Sequence, residues 1–84
     1  MTYIQPPRSV LEGFPSAKLV KSKTPVQGGG GLRRRWETEE GHILEWDSRH
    51  GRLEKYDRLG NHLGEFCHLT GNQIKPRDHK RKLK

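Results

Sequence analysis

Cysteine occurs once in this 84-residue chain, at Cys67. A single thiol forms no internal disulfide and completes no cysteine-based zinc motif. Apolar residues are scarce at 29%, and no apolar run approaches the roughly 18 to 20 residues that span a bilayer. The opening stretch MTYIQPPRSVLEG lacks the apolar centre of a signal peptide. Aromatics make up only 7%, so the chain builds one small domain at most, with a thin core and part of its length unpacked. Acidic residues are outnumbered, 10 Asp and Glu against 17 Lys and Arg, for a net charge of +7 and a mean hydropathy of -1.08. A basic excess of this size in so small a domain implies a polyanionic partner, nucleic acid first and an acidic protein second.

Residues 1–31 differ in character from residues 32–84. The first segment holds four of the five prolines and half of the ten glycines, and reads as a flexible linker. Within it, Ser9 and Glu12 have capping-box spacing and Gly13 stands where a helix ends, which predicts a short helix near 9–13. The glycine run from Gly28 to Gly31 reads as a hinge and a domain boundary. From Leu32 onward, short candidate strands alternate with turn signals. They are LRRRWETE, HILEWDS, RLEKYD and HLGEFCHL, punctuated by Gly41, His50-Gly51, LGN at 59–61 and Thr70-Gly71-Asn72. This pattern predicts a mainly β (α+β) fold: an antiparallel meander with one aromatic per strand, Trp36, Trp46, Tyr56 and Phe66. The end, KPRDHKRKLK, is a basic run without an apolar face.

In the middle of this basic chain stands EWDSRHGRLEKY, an acid–histidine–acid cluster. A two-residue turn at His50-Gly51 would set Asp47 opposite Glu54, with Cβ atoms about 5 Å apart and His50 overhanging from the turn. A different turn length would shift that register. Facing carboxylates are unfavourable in a sheet, so their use suggests proton transfer. The plain alternative is a surface where Arg49, Arg52 and Lys55 neutralise them. The chemistry best suited to a carboxylate, an imidazole and an arginine on a cationic sheet is RNA cleavage. The ribose 2′-OH is then the nucleophile, so neither a metal nor a protein nucleophile is needed.

The glycine run, RRRW, EWDSRHGRLE, LGNHLGEF, TGNQIK and the DHKR near the end stand in the order of one known family. Residues 28–82 resemble the C-terminal ribonuclease domain of the ribosome-cutting colicins and cloacin, a module shared with some contact-dependent growth-inhibition toxins. The resemblance implies a highly twisted antiparallel sheet preceded by a short helix. It also implies an endoribonuclease that cuts 16S ribosomal RNA at the decoding site and stops translation. Carried onto this chain, the catalytic residues are Asp47, His50, Glu54 and Arg81. Glu54 would be the base, His50 the acid or a positioning group oriented by Asp47, and Arg81 the cation at the phosphorane. His79 departs from the family pattern near Arg81, and Arg77 or Lys80 could stand in for that cation. RNA contacts would come from Arg33, Arg34, Arg35, Lys75, Arg77, Lys80 and Lys82, with Tyr56 beside the cluster to stack or hydrogen-bond. The implied partners are the 30S subunit of the ribosome and an acidic cognate immunity protein. No cofactor is expected and the domain itself would bind no membrane. Such a domain is delivered, secreted or from a cell surface, as part of a larger toxin and acts in the target-cell cytoplasm.

Other readings of the sequence are weaker. His62, Cys67 and His68 lie close in sequence, but Cys67 and His68 alternate faces on a strand and do not converge on one ion. Cys67 is better read as a small buried apolar residue. The glycine run lacks the Lys-Ser or Lys-Thr of a phosphate loop. The remaining competitor is a non-catalytic, ribosomal-protein-like RNA-binding module. It accounts for the charge but not for Asp47, His50 and Glu54 together.

Overall fold

The computed structural model describes residues 4–26 and 31–83. Its sheet runs through six strands in chain order: β1 (Lys18–Val20), β2 (Arg35–Glu37), β3 (Ile43–Asp47), β4 (Arg52–Tyr56), β5 (His62–Phe66) and β6 (Gln73–Lys75). Every neighbouring pair is antiparallel. The expected meander is therefore the fold, with two short strands, β1 and β6, added at its edges. Their exposed residues carry no apolar alternation that would mark them as strands.

The period-2 alternation of β2 to β5 sorts side chains onto two unlike faces. One face is apolar: Trp36 pairs with Leu44, and Trp46 with Leu53, which in turn faces Phe66. Leu11, Ala17 and Phe14 from the N-terminal segment cover it. Trp36, Leu44, Leu53 and Leu11 are at most 1% exposed, and each such side chain contributes about 1.5–3 kcal/mol through burial. Lys55 lies on this face too, its ammonium 4.9 Å from the Phe66 ring centre and 5.6 Å from that of Phe14. Tyr56 is buried as well, but on the other face.

Residues 4–26 are packed rather than loose. Both indoles of the apolar face need acceptors for their N–H groups, and backbone carbonyls of this segment supply them. Trp36 Nε1 donates to Ser9 O at 2.7 Å and Trp46 Nε1 to Ile4 O at 2.8 Å. The predicted helix near 9–13 does not form. Instead, Leu11 and Phe14 bracket a tight turn, and the Gly13 N–H donates to His68 O at 2.8 Å. A helix of one turn has little stability of its own, and burial of Leu11 decides the conformation. The glycine run read as a hinge lies, at positions 28–30, outside the described residues. On either side of it the chain pairs with itself, through a Pro25–Leu32 bridge and Arg33 N–H donating to Thr24 O at 2.7 Å.

The β3–β4 hairpin differs from its expected register. Asp47 faces Arg52, Glu45 faces Glu54 and Ile43 faces Tyr56. The connection is four residues long, Ser48 to Gly51, because the Gly51 N–H turns back to Asp47 O at 2.8 Å with Gly51 at φ +67°. That left-handed conformation is the one glycine adopts without strain. Gly64 marks a second special position, at φ +137° beside a register shift between β4 and β5. A Cβ there would stand 2.6 Å from Lys75 O, so β6 approaches β5 this closely only because the residue is glycine.

Candidate active site

The second face of the sheet is polar, and most of it is buried. One rung of cross-strand partners reads Arg35, Glu45, Glu54, Glu65, Lys75 across β2 to β6. Glu45, Glu54 and Glu65 are 1%, 3% and 3% exposed. Three neighbouring carboxylates in a buried rung would repel strongly without counter-charges. Each has its own. Arg35 Nη2 and Nε reach Glu45 Oε2 at 2.8 and 3.1 Å. Arg52 donates to Glu65 Oε2 at 3.3 Å, with the Lys75 ammonium at 3.8 Å. Glu54 meets His62, Nε2 to Oε1 at 2.8 Å, and Arg81, Nη1 to Oε2 at 3.5 Å. The outer two carboxylates are thus held by permanent cations, while the middle one has a histidine and a longer contact to Arg81.

Beside this rung lies Asp47, at the end of β3. Its Oδ2 meets His50 Nδ1 at 2.7 Å and its Oδ1 accepts the Arg49 N–H at 3.0 Å. Burial pushes the Asp47 carboxyl up, but the hydrogen bonds from His50 and Arg49 outweigh it and hold the group below its ordinary range. The His50 ring projects from the hairpin with its side chain 55% exposed. With Nδ1 engaged by Asp47, Nε2 is the ring atom that faces outward.

Arg81 arrives from the C-terminal tail. Its Nε donates to the Tyr56 hydroxyl at 3.1 Å. Burial disfavours the Arg81 charge, but Glu54 and Tyr56 more than offset this and raise its pKa. Burial, in turn, raises the Tyr56 phenol. Asp47, His50, Glu54 and Arg81 all open onto one cleft of about 240 Å³, whose wall also includes Lys75. The four residues expected to be catalytic therefore meet, although they do so through a register two residues away from the expected one. Glu54 faces Glu45 and Glu65 directly, not Asp47.

The sequence model of the family described as Cytotoxic matches residues 4–84. This chain belongs to the Cytotoxic family. It is 51% identical over 76 residues to colicin-E6, and 49% identical to colicin E3 and to cloacin, all from Escherichia coli. Each match covers 88% of this chain and 14% of the relative, so the chain spans about one seventh of the length of these relatives. The family match begins at residue 4, which accords with the packed N-terminal segment.

Within this Cytotoxic domain, the residues expected to contact RNA fall into three groups. Lys75, Arg77, Lys80 and Lys82 are exposed, Lys75 beside the cleft and Lys82 bonded through Nζ to the Asn61 side chain. Arg33 and Arg34 are half-buried, and Arg34 donates to the Pro7 and Arg8 carbonyls at 3.0 and 2.7 Å. Arg35 and Tyr56 are buried: Arg35 is 6% exposed and bonded to Glu45, and Tyr56 is 3% exposed and accepts from Arg81 Nε. Cys67 is half-buried rather than core, and a hydrogen bond with the Thr70 side chain draws its thiol pKa down.

The side chains of Asp47, His50 and Glu65 place one potential ligand atom each within 4.8 Å of one another. Two carboxylates and an imidazole suit a divalent ion in type, but Arg52 and Lys75 already compensate Glu65. Residues that sequence reading left out of the site are Glu45, Glu65 and, above all, His62. The signal for His62 was its place at the start of β5, opposite Tyr56, which only the β4–β5 register makes visible.

Proposed function

We propose that this domain is the endoribonuclease of a bacterial toxin that cuts 16S ribosomal RNA at the decoding site and stops translation. The observation that carries the reading is the meeting of Asp47, His50, Glu54 and Arg81 on one cleft of a basic domain. Similarity to two colicins and a cloacin adds the toxin context.

The reaction follows from the positions. Glu54 takes the proton from a ribose 2′-OH, and O2′ attacks the adjacent phosphorus. Arg81, drawn from its 3.5 Å contact with Glu54 toward the phosphate, and Lys75 stabilise the negative charge of the pentacoordinate phosphorane. His50 Nε2 delivers a proton to the departing O5′ while Asp47 fixes the ring through Nδ1. The P–O5′ bond breaks, leaving a 2′,3′-cyclic phosphate and a 5′-hydroxyl. The RNA supplies its own nucleophile, so the chain provides base, acid and cation.

The partners belong to the same proposal. They are the small ribosomal subunit and an acidic immunity protein that matches the +7 surface. Delivery is as part of a larger toxin into the cytoplasm of a target cell. Incubating the domain with ribosomes in EDTA tests the reading: a short 3′ fragment of 16S RNA with a 5′-hydroxyl end is expected. Intact RNA with retained ribosome binding would favour the non-catalytic binding module. Cleavage should weaken steeply between about 50 and 200 mM salt, because phosphate contacts release counterions.

A further inference from the structure

Among the described residues, His62 is the side chain whose ring hydrogen-bonds both the proposed base and the backbone of the tail carrying the proposed cation. It is 6% exposed and uses both ring nitrogens. The Asp78 N–H points at Nδ1 from 2.9 Å, while Nε2 meets Glu54 Oε1 at 2.8 Å. A backbone N–H only donates, so Nδ1 must present its lone pair. The proton then sits on Nε2 and is donated to Glu54. The environment specifies one neutral tautomer without any choice left to the ring.

We propose that His62 is a positioning residue that aligns Glu54 and Arg81 for catalysis through this single tautomer. Three consequences of the geometry support the assignment, which rests on the ribonuclease reading above. First, the Nε2–H occupies Glu54 Oε1, so Oε2 is the oxygen left to take the ribose proton, and it is Oε2 that Arg81 approaches. Second, the Asp78 backbone anchored on Nδ1 starts the turn that ends at Arg81, whose N–H returns to Asp78 O at 3.1 Å. Third, the Tyr56 ring packs edge-on against His62 at 5.3 Å between centroids, and its hydroxyl receives Arg81 Nε. Base, cation and the phenol that steadies the cation are therefore referenced to one imidazole. With both ring nitrogens engaged, His62 makes no proton transfer itself.

Two measurements test this, and they fail independently of the ribonuclease reading, which wild-type cleavage of ribosomes checks first. Long-range ¹⁵N–¹H correlation spectra of the wild-type domain at neutral pH should show His62 with a bare Nδ1 and a protonated Nε2. A protonated Nδ1 would overturn the proposal whatever the activity. Single-turnover cleavage of ribosomes then separates rate from docking. His62→Ala should lower the maximal rate about 10- to 100-fold, as small misplacements of reacting groups do. The toxin concentration giving half the maximal rate should stay within about twofold. His62→Gln keeps an N–H donor that reaches Glu54, and His62→Asn keeps an acceptor near Asp78. Each should recover part of the rate lost in His62→Ala. A loss confined to the half-maximal concentration, or no recovery in either amide variant, would refute the positioning role.

Discussion

The two faces of this sheet are built from the same central strands, β2 to β5, and could hardly differ more. On one, Trp36, Leu44, Trp46 and Leu53 close against Leu11, Ala17 and Phe14. On the other, Glu45, Glu54 and Glu65 lie side by side, just as buried, each tied to a cation or a histidine. Apolar burial is non-directional, so the first face tolerates exchanges of similar volume. The charged face is directional: removing one partner strands the other in a dry environment. Among the described residues, the only buried side-chain polar atom without a partner is His42 Nδ1, away from the carboxylate rung. The charged face is complete as it stands, and that completeness is what holds the Glu54 carboxylate in a fixed place.

The contrast can be broken at Glu54 first. Glu54→Gln keeps the shape and still accepts from His62, so its unfolding midpoint should stay close to wild type. Ribosome cleavage should fall by about 10²–10⁴-fold, the usual contribution of a general base. Retained cleavage would remove Glu54 from the base role. Next comes the supporting pair on the same face. Arg35→Leu leaves Glu45 buried and unpaired, and urea unfolding should show a loss of about 3–5 kcal/mol. On the apolar face, Leu53→Ala should cost about 2–5 kcal/mol. Its effect should be on stability, with little change in the cleavage rate of the molecules that remain folded. If Leu53→Ala slowed cleavage more than it destabilised the fold, the division of labour between the faces would be wrong.

The smallest expected effect concerns Asp47. Its carboxyl titrates lower in the folded protein than the ordinary 3.8 of a free side chain. Protonation therefore favours unfolding. The stabilisation is fully present above the unfolded pKa and disappears as pH falls through the folded one. Urea midpoints measured from pH 6 down to pH 2 should drop further for wild type than for Asp47→Asn. Parallel curves would mean that the His50 and Arg49 hydrogen bonds do not hold the charge.

Much of the site was legible because sheet geometry forgives even errors. The hairpin loop has four residues where two were expected, so every β3–β4 partner moves by two. A shift of two keeps each side chain on its face, and Asp47, Glu54 and Tyr56 stayed together. A shift of one would have sent Glu54 to the core. What stayed hidden depended on distant packing. Leu11 belongs to a turn rather than a helix because Trp36 and its neighbours need cover. β6 forms where Gly64 lets Gln73 and Lys75 approach. His62 became visible only once β4 and β5 were aligned. Arg35 and Arg34 look alike in RRRW, yet alternation turns one into the buried partner of Glu45 and leaves the other tied to backbone carbonyls.

Strand order equals chain order throughout the sheet. From β2 to β6, each strand can therefore zip onto the one before it, without a long loop having to close first. With a single cysteine, no oxidative step is needed to lock the result. A molecule threaded through a narrow opening as an extended strand would rebuild this sheet quickly on the far side, while the cleft also needs Arg81 of the tail to reach Glu54 and Tyr56.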